Sequence, residues 1–225
     1  MHVHIAGSGK LAQELLARLP SPTDRPADAI SPWPATGEAP CIVVHAGSGR
    51  ELDAIVDHCR RTGSVLLELS TGSSLGDTPQ GFPVVLCPNT NILMLKFMAM
   101  LARSGGLFQG LNITLTESHQ AGKMSVPGTA VALAQALGLP DSAIQSVREP
   151  AVQQAELGIP PEALARHAFH RIDIADEACA IRLETRVVGN APYADGVRQI
   201  IAAVRRQPLA PRCYAINEFI ELGWL

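Results

Sequence analysis

Residues 2–19 read HVHIAGSGKLAQELLARL, and the parsing of this stretch sets the fold of what surrounds it. HVHIA alternates as a short strand does, and Leu11, Leu15, Leu16 and Leu19 recur at helical spacing after the glycines. The segment therefore predicts strand, tight turn, helix. Its turn, Gly7-Ser8-Gly9-Lys10-Leu11-Ala12, fits the Gly-x-Gly-x-x-Ala pattern of dinucleotide-binding turns. Each small residue has its own task there: Gly7 permits the tight turn, Gly9 lets the backbone approach a pyrophosphate, and Ala12 lets helix and strand lie close. The amides and dipole of the helix then hold the phosphates. The same glycines also serve a plain strand–helix turn, but they sit where the cofactor needs them, after the first strand and opening the first helix. One part of the pattern is missing. The acid expected about twenty residues on, for the ribose hydroxyls, has no clear counterpart. Asp24 and Asp28 lie in a proline-rich segment, and Lys10 favours a phosphate. NADH and NADPH both stay open.

Working outward, residues 20–40 carry six prolines and exclude a long helix or a central strand; at most ADAIS is a short edge strand. From Cys41 the alternation of elements resumes. CIVVHA is a buried-strand run, RELDAIVDHCRR places Leu52, Ile55, Val56 and Cys59 on one helical face, and SVLLELS and FPVVLCPN are further strands. Residues 92–103 form a helix apolar nearly all round. This grammar predicts an α/β fold, a doubly wound parallel sheet. Near Gly105-Gly106 it changes: LNITLTE alternates with Leu111, Ile113 and Leu115 on one face, a helix follows Gly128, then a polar stretch, then HAFHRIDI and AIRLETRVV as strands. That is a smaller α+β domain with a mixed sheet. DGVRQIIAAVRR, with Val197, Ile200, Ile201 and Val204 on one face, is an amphipathic helix that docks back on the first domain. The predicted domains are 1–108 with 193–225, and 109–192.

Composition excludes several function classes. The 225 residues are 47% apolar and 17% charged, ordinary for a folded soluble domain. A net charge of −3 and 4% aromatic residues give no footing for nucleic acid or an anionic membrane. Cys41, Cys59, Cys87, Cys179 and Cys213 are odd in number and widely spaced, and are read as buried thiols in a reducing cytoplasm rather than disulfides or zinc ligands. No signal peptide is visible, and the apolar run at 92–102 contains Lys96 and is too short to cross a bilayer.

Residues 117–130, ESHQAGKMSVPGTA, gather Glu117, His119, Lys123, Ser125 and Thr129 just before a helix. Thr129 is expected as the N-cap after a Pro127-Gly128 turn. The amides of Gly128, Thr129 and Ala130 then make a carboxylate or phosphate site, on which His119 and Lys123 converge. Hydride delivery to a C=N or C=C bond needs a proton to complete it, which a His or Lys supplies. A solvated loop and a simple cap account for the spacing as well. His167 and His170, three apart on a strand, are expected on opposite faces, which excludes a metal pair; one of them is expected to face the cleft.

The stretch resembles the substrate motif of the dihydrodipicolinate reductase family, lysine-pathway enzymes with Glu-x-His-His-x-x-Lys-x-Asp-x-Pro-Ser-Gly-Thr-Ala. Glu117, His119, Lys123, Pro127, Gly128, Thr129 and Ala130 match it. Residues 41–72 resemble the family's strand–helix–strand ending in Gly-Thr-Thr-Gly, FPVVLCPN its Pro-Val-Val-x-Ala-Pro-Asn strand, and Tyr193-Ala194-Asp195-Gly196 its last helix start. The resemblance runs from Met1 to about residue 206, with 20–40 the main gap. It implies a Rossmann-type domain plus a substrate domain, a homo-oligomer (a tetramer or dimer), and a small carboxylate substrate. It implies His119 as proton donor, Lys123 as acid or substrate anchor, and substrate contacts at Gln120, Ser125, Gly128 and Thr129. For NADH or NADPH it implies Gly7, Ser8, Gly9, Lys10, Leu11, Ser70, Thr71, Gly72, Cys87, Pro88 and Asn89. Departures fall in the same motif: the second His is Gln120, the Asp is Ser125, the Ser before Gly-Thr is absent, and Asn190 stands where an arginine is expected. Fewer groups grip a two-carboxylate ring, which points to a changed substrate. Two classes of function stay open, a reductase and a binding or regulatory homologue without turnover.

Overall fold

The computed structural model describes residues 1–19, 29–35, 37–189 and 192–225; Asp24, Asp28 and Asn190 lie outside them. In chain order the elements are β1 (Val3–Ala6), α1 (Lys10–Arg18), β2 (Ile30–Pro32), β3 (Ile42–His45), α2 (Leu52–Thr62), β4 (Val65–Glu68), β5 (Val84–Leu86) and α3 (Ile92–Ser104). There follow β6 (Asn112–His119), α4 (Gly128–Ala136), β7 (Ile144–Val147), α5 (Pro150–Ala155), β8 (Ala168–Ala175) and β9 (Ala180–Val187). The chain closes with α6 (Ala194–Arg206), β10 (Cys213–Ala215) and α7 (Ile216–Glu221). Two compact units result, Met1–Leu95 with Tyr193–Leu225, and Lys96–Pro192. The division falls within α3, whose first turn buries Ile92 and Leu95 in the core of the first unit; the sequence reading draws it at 108.

The first unit is a parallel sheet of order β10-β5-β4-β3-β1-β2. Every residue of β1, β3 and β4 is buried, which explains why β3 and β4 read as largely apolar runs, with His45 and Glu68 at their ends, and why the alternation read in HVHIA does not leave His4 exposed. Helices cover both faces. Leu15 of α1 and Val197, Ile200, Ile201 and Val204 of α6 join one core, while Ile55 and Cys59 of α2 join the other. The short edge strand read in ADAIS is β2, where an edge position tolerates Pro32. β10 and α7 carry no periodic signal because they are short, yet Tyr214 and Phe219 are buried and complete the sheet edge.

In the second unit the order is β7-β6-β8-β9, with β6–β8 and β8–β9 antiparallel and β6–β7 parallel. The polar stretch after α4 thus contains a strand and a helix. β7 was hidden because it is an edge strand with Gln145 and Ser146 exposed. The alternation read in 111–117 holds only in part: Leu111 precedes β6 and is exposed, and Leu115 through Ser118 are buried in succession. The helix read over 92–103 is α3, and with apolar residues nearly all round it leaves Leu93 and Met100 exposed. Among the described residues no helix is long and apolar enough to cross a membrane. Cys41, Cys59 and Cys87 are buried, but Cys179 is exposed and Cys213 half-buried.

Gly196 explains the Tyr-Ala-x-Gly helix start. A Cβ there would stand 1.6 Å from the carbonyl oxygen of Thr90, so α6 lies directly on the backbone leading into α3. Gly196→Ala is expected to destabilise the protein by about 3 kcal/mol, lowering Tm by roughly 10 °C. A thermal melt within a degree or two of the parent would show that this contact is not made.

Candidate functional site

The order of the parallel sheet reverses between β1 and β3, and the strand ends open a crevice at that point, where ligands of open α/β sheets bind. Gly7 makes it possible. Its φ is +122°, and a Cβ would lie 2.5 Å from the carbonyl oxygen of Ala46, in the turn after β3. A cleft of about 340 Å³ opens there, lined by Ser8 and Gly9 of the first turn and by Ala46, Gly47, Ser48, Arg50 and Glu51 of the second. Gly9 is the N-cap of α1 and brings no capping side chain, so the first-turn amides have no capping oxygen at the cleft. Lys10 is exposed in that turn and Leu11 half-buried, while Ala12 is fully buried against the sheet.

In the second unit the chemistry gathers at the end of β6. Glu117 is wholly buried, and accepts from Arg148 Nη2 at 2.6 Å, from His119 Nδ1 at 2.9 Å and from the Ser146 hydroxyl. Burial pushes its carboxyl up, but the bonds from His119, Arg148 and Ser146 outweigh this and hold it down at about 2. The carboxylate fixes His119 in turn. Nδ1 is committed to Glu117, so Nε2 is the nitrogen left for a ligand, on a ring still 13% exposed. Gln153 ties the strand end down by donating to the carbonyl of His119 at 2.7 Å and to that of Val147 at 3.1 Å.

His167 and His170 both flank His119, with ring centroids 6.5 and 5.9 Å away. His170 stands opposite Glu117 on β8, whereas His167 precedes the strand and reaches Ser118 through Nε2. The opposite-face expectation thus holds for their hydrogen bonds and fails for His119. Strand alternation does not extend to a residue before the strand begins. Burial, aided by His119, takes His170 down to about 4, and burial lowers His167 as well.

Lys123 lies in the loop between β6 and α4; its amide donates to Gln120 and its carbonyl accepts from Arg148 Nε at 3.0 Å. Arg148 thereby links the loop to Glu117. Gln120 and Ser125 are exposed. The N-cap of α4 is Pro127, not Thr129, because the φ of −66° and ψ of 140° of the proline already start the helix at Gly128. Thr129 becomes the second helical residue. As at Gly9, the cap residue brings no capping oxygen to the first-turn amides.

No family model matches the chain. It is 32% identical over 123 residues to the probable 4-hydroxy-tetrahydrodipicolinate reductase 1, chloroplastic, of Oryza sativa subsp. japonica, over 50% of this chain and 36% of that one. To the 4-hydroxy-tetrahydrodipicolinate reductase 2, chloroplastic, of Arabidopsis thaliana it is 28% identical over 162 residues, 64% of this chain and 46% of the relative. A dipicolinate-bound dihydrodipicolinate reductase from Paenisporosarcina sp. shares the fold, with a TM-score of 0.65 at 15% identity, over 96% of this chain and 97% of that one. The chain is similar in sequence to 4-hydroxy-tetrahydrodipicolinate reductases and in fold to a dihydrodipicolinate reductase. It spans less than half the length of the plant relatives it matches.

The remaining positions implied by likeness to the dihydrodipicolinate reductases fall on the loops after β4 and β5. Ser70 is committed to Glu68, donating from both amide and hydroxyl; Thr71 is exposed and Gly72 takes a φ of +77°. Cys87 is fully buried and its thiol, pushed up by burial, lies against the carbonyl of Val85, so its side chain offers the surface nothing. Pro88 is exposed, and Asn89 accepts from the amide of Asn91 at the start of α3. Sequence reasoning passed over two further polar residues, His45 and Glu68, which form a buried pair at 2.7 Å. The signal was available: each is the single ionisable residue in an otherwise apolar strand run, CIVVHA and SVLLELS.

The Glu117 cluster carries a pH signature. The unfolded chain protonates this carboxyl near 4.5 and the folded one near 2, so stability falls with pH across that interval, by up to about 3 kcal/mol. His170 adds an earlier limb, because its unfolded ring protonates near 6.5 and its folded ring near 4. Denaturant melts from neutral pH to about pH 3 are expected to show both limbs, with His170→Asn flattening the upper and Glu117→Gln the lower. An unchanged lower limb in Glu117→Gln would mean the carboxylate is not held as described.

Proposed function

We propose that the chain is an NADH- or NADPH-dependent reductase of the dihydrodipicolinate reductase type, adding hydride and a proton to a cyclic imine or an unsaturated carboxylic acid. The observation that carries this reading is the Glu117–His119 pair, placed on the same short stretch as Lys123 and the uncapped start of α4. The fit of the nucleotide rests on the crevice at the sheet reversal, where Gly7 leaves no room for a side chain and the α1 amides have no capping oxygen.

In this reading the diphosphate lies on Gly7–Ala12, and the loops of Ser70, Thr71 and Gly72 and of Pro88 and Asn89, with the backbone of Cys87, border the nicotinamide. The bound nucleotide supplies the hydride. Everything else is the work of side chains and amides of this chain. The amides of Gly128 and Thr129 and the ammonium of Lys123 hold a substrate carboxylate. His119, oriented by Glu117, would give a proton from Nε2 to the substrate nitrogen, completing an N–H bond where the C=N bond is reduced. Gln120 and Ser125 border the substrate with fewer charged groups than the family motif. The substrate is accordingly a carboxylic acid of this class, with dihydrodipicolinate the first to assay.

Steady-state turnover of dihydrodipicolinate with each nucleotide tests the reading. His119→Ala is expected to lower kcat by about 100-fold or more, and Lys123→Ala to raise KM for the acid more than it lowers kcat. Retention of full turnover by His119→Ala removes the proton-donor role. Failure of both nucleotides to bind at millimolar concentration removes the reductase itself.

A further inference from the structure

The first unit holds a polar feature that the reductase chemistry leaves unused. His45 ends β3 and Glu68 ends β4, and neither side chain is exposed to solvent. Glu68 accepts from His45 Nδ1 at 2.7 Å, and from the amide of Ser70 at 2.8 Å. In the neutral tautomer whose Nδ1–H is given to Glu68, the ring presents a lone pair at Nε2. That nitrogen is buried and has no partner among the described residues. A second orphan stands beside it: Oε2 of Glu51, at the N-terminus of α2, is also shielded from solvent and without a partner among the described residues. Both atoms converge on one glycine. A Cβ at Gly47 would lie 2.8 Å from His45 Nε2 and 3.2 Å from Glu51 Oε2, so the two acceptors stand within about 6 Å of each other. Gly47 and Glu51 both line the cleft at the sheet reversal.

Two buried acceptors facing one space call for a partner with two donors. The vicinal hydroxyls of a ribose are such a partner. A 2′-phosphate ester is not, since it replaces one hydroxyl with anionic oxygens and sets them against a carboxylate. The acid that usually takes this ribose ends the second strand, and here β2 ends at Pro32, with the next acid, Glu38, exposed and paired to Arg61. Arg50, held to Ser48 through Nε, and Lys10 bring positive charge to the same turns. That charge meets the diphosphate common to both nucleotides and does not discriminate between them. Resting on the nucleotide reading of this cleft, we infer that Glu51, with His45 locked by Glu68 behind it, receives the adenosine ribose diol and selects NADH over NADPH.

Calorimetric titration of the full chain with NADH and NADPH tests this. The parent protein is expected to bind NADH at least tenfold more tightly. Glu51 makes no capping bond to α2, so Glu51→Ala should leave the fold intact while weakening NADH about tenfold or more and narrowing the preference. Gly47→Ala, whose methyl group fills the space between the two acceptors, should act in the same direction. If NADH binds but NADPH binds as well or better, or if Glu51→Ala leaves the ratio unchanged, the orphaned atoms hold only a water and the inference falls while the reductase reading stands. If neither nucleotide binds, the reductase reading falls and takes this inference with it.

Discussion

A carboxylate taken out of water must be given donors, and each unit of this protein is arranged around one such group at the end of a strand. Glu68 is answered by His45 and Ser70, and Glu117 by His119, Arg148 and Ser146. The cost of leaving either unpaired is several kcal/mol, so the partners are fixed wherever the acid is fixed. In both cases an imidazole is committed through Nδ1, which decides which ring nitrogen remains for a ligand. The orientation of the two histidines is thus a by-product of solvation.

The same two neighbourhoods share a second property. Helices α1 and α4 have Gly9 and Pro127 as N-caps, residues without a capping oxygen, where a serine or aspartate would have added stability of about 1 kcal/mol. Neither first turn carries a side-chain cap at its N-cap residue. In the first unit this coincides with the one place where the strand order reverses, and in the second with the loop that Arg148 ties to Glu117. Local stability is given up at the positions where the likeness to dihydrodipicolinate reductases places phosphate and carboxylate.

Much of the fold was legible because hydrophobic period and punctuation agreed over 1–19, 41–104 and 194–206: largely apolar runs for β3 and β4, helical spacing for α1, α2 and α6, glycines between several of them. Short elements escaped. β7 and β10 have four and three residues with few buried on both faces, so neither period nor propensity rises above a loop. In the candidate site, His119 and Lys123 were recognisable from spacing before a helix, whereas their organisation was not. Arg148 reaches Glu117 from 31 residues away and Ser146 from 29. The His45–Glu68 pair joins two strands 23 residues apart. Contacts of this range depend on register between strands, which one sequence does not display. Thr129 was misplaced for a local reason, since the proline ahead of it already supplies the dihedral angles of a cap.

The first unit is discontinuous along the chain, and its last strand has an implication for synthesis. β5 gains its outer neighbour only when Cys213–Ala215 pairs with it, and α6 closes over the core only after residue 194. The second unit, by contrast, is one unbroken segment, Lys96–Pro192. On the ribosome, where the chain emerges from its N-terminus, the inserted unit is complete first. Until then the earlier strands wait with β5 as an open edge, a template for pairing with other chains. A nascent chain of this protein therefore passes through an interval in which a chaperone has a defined strand to shield.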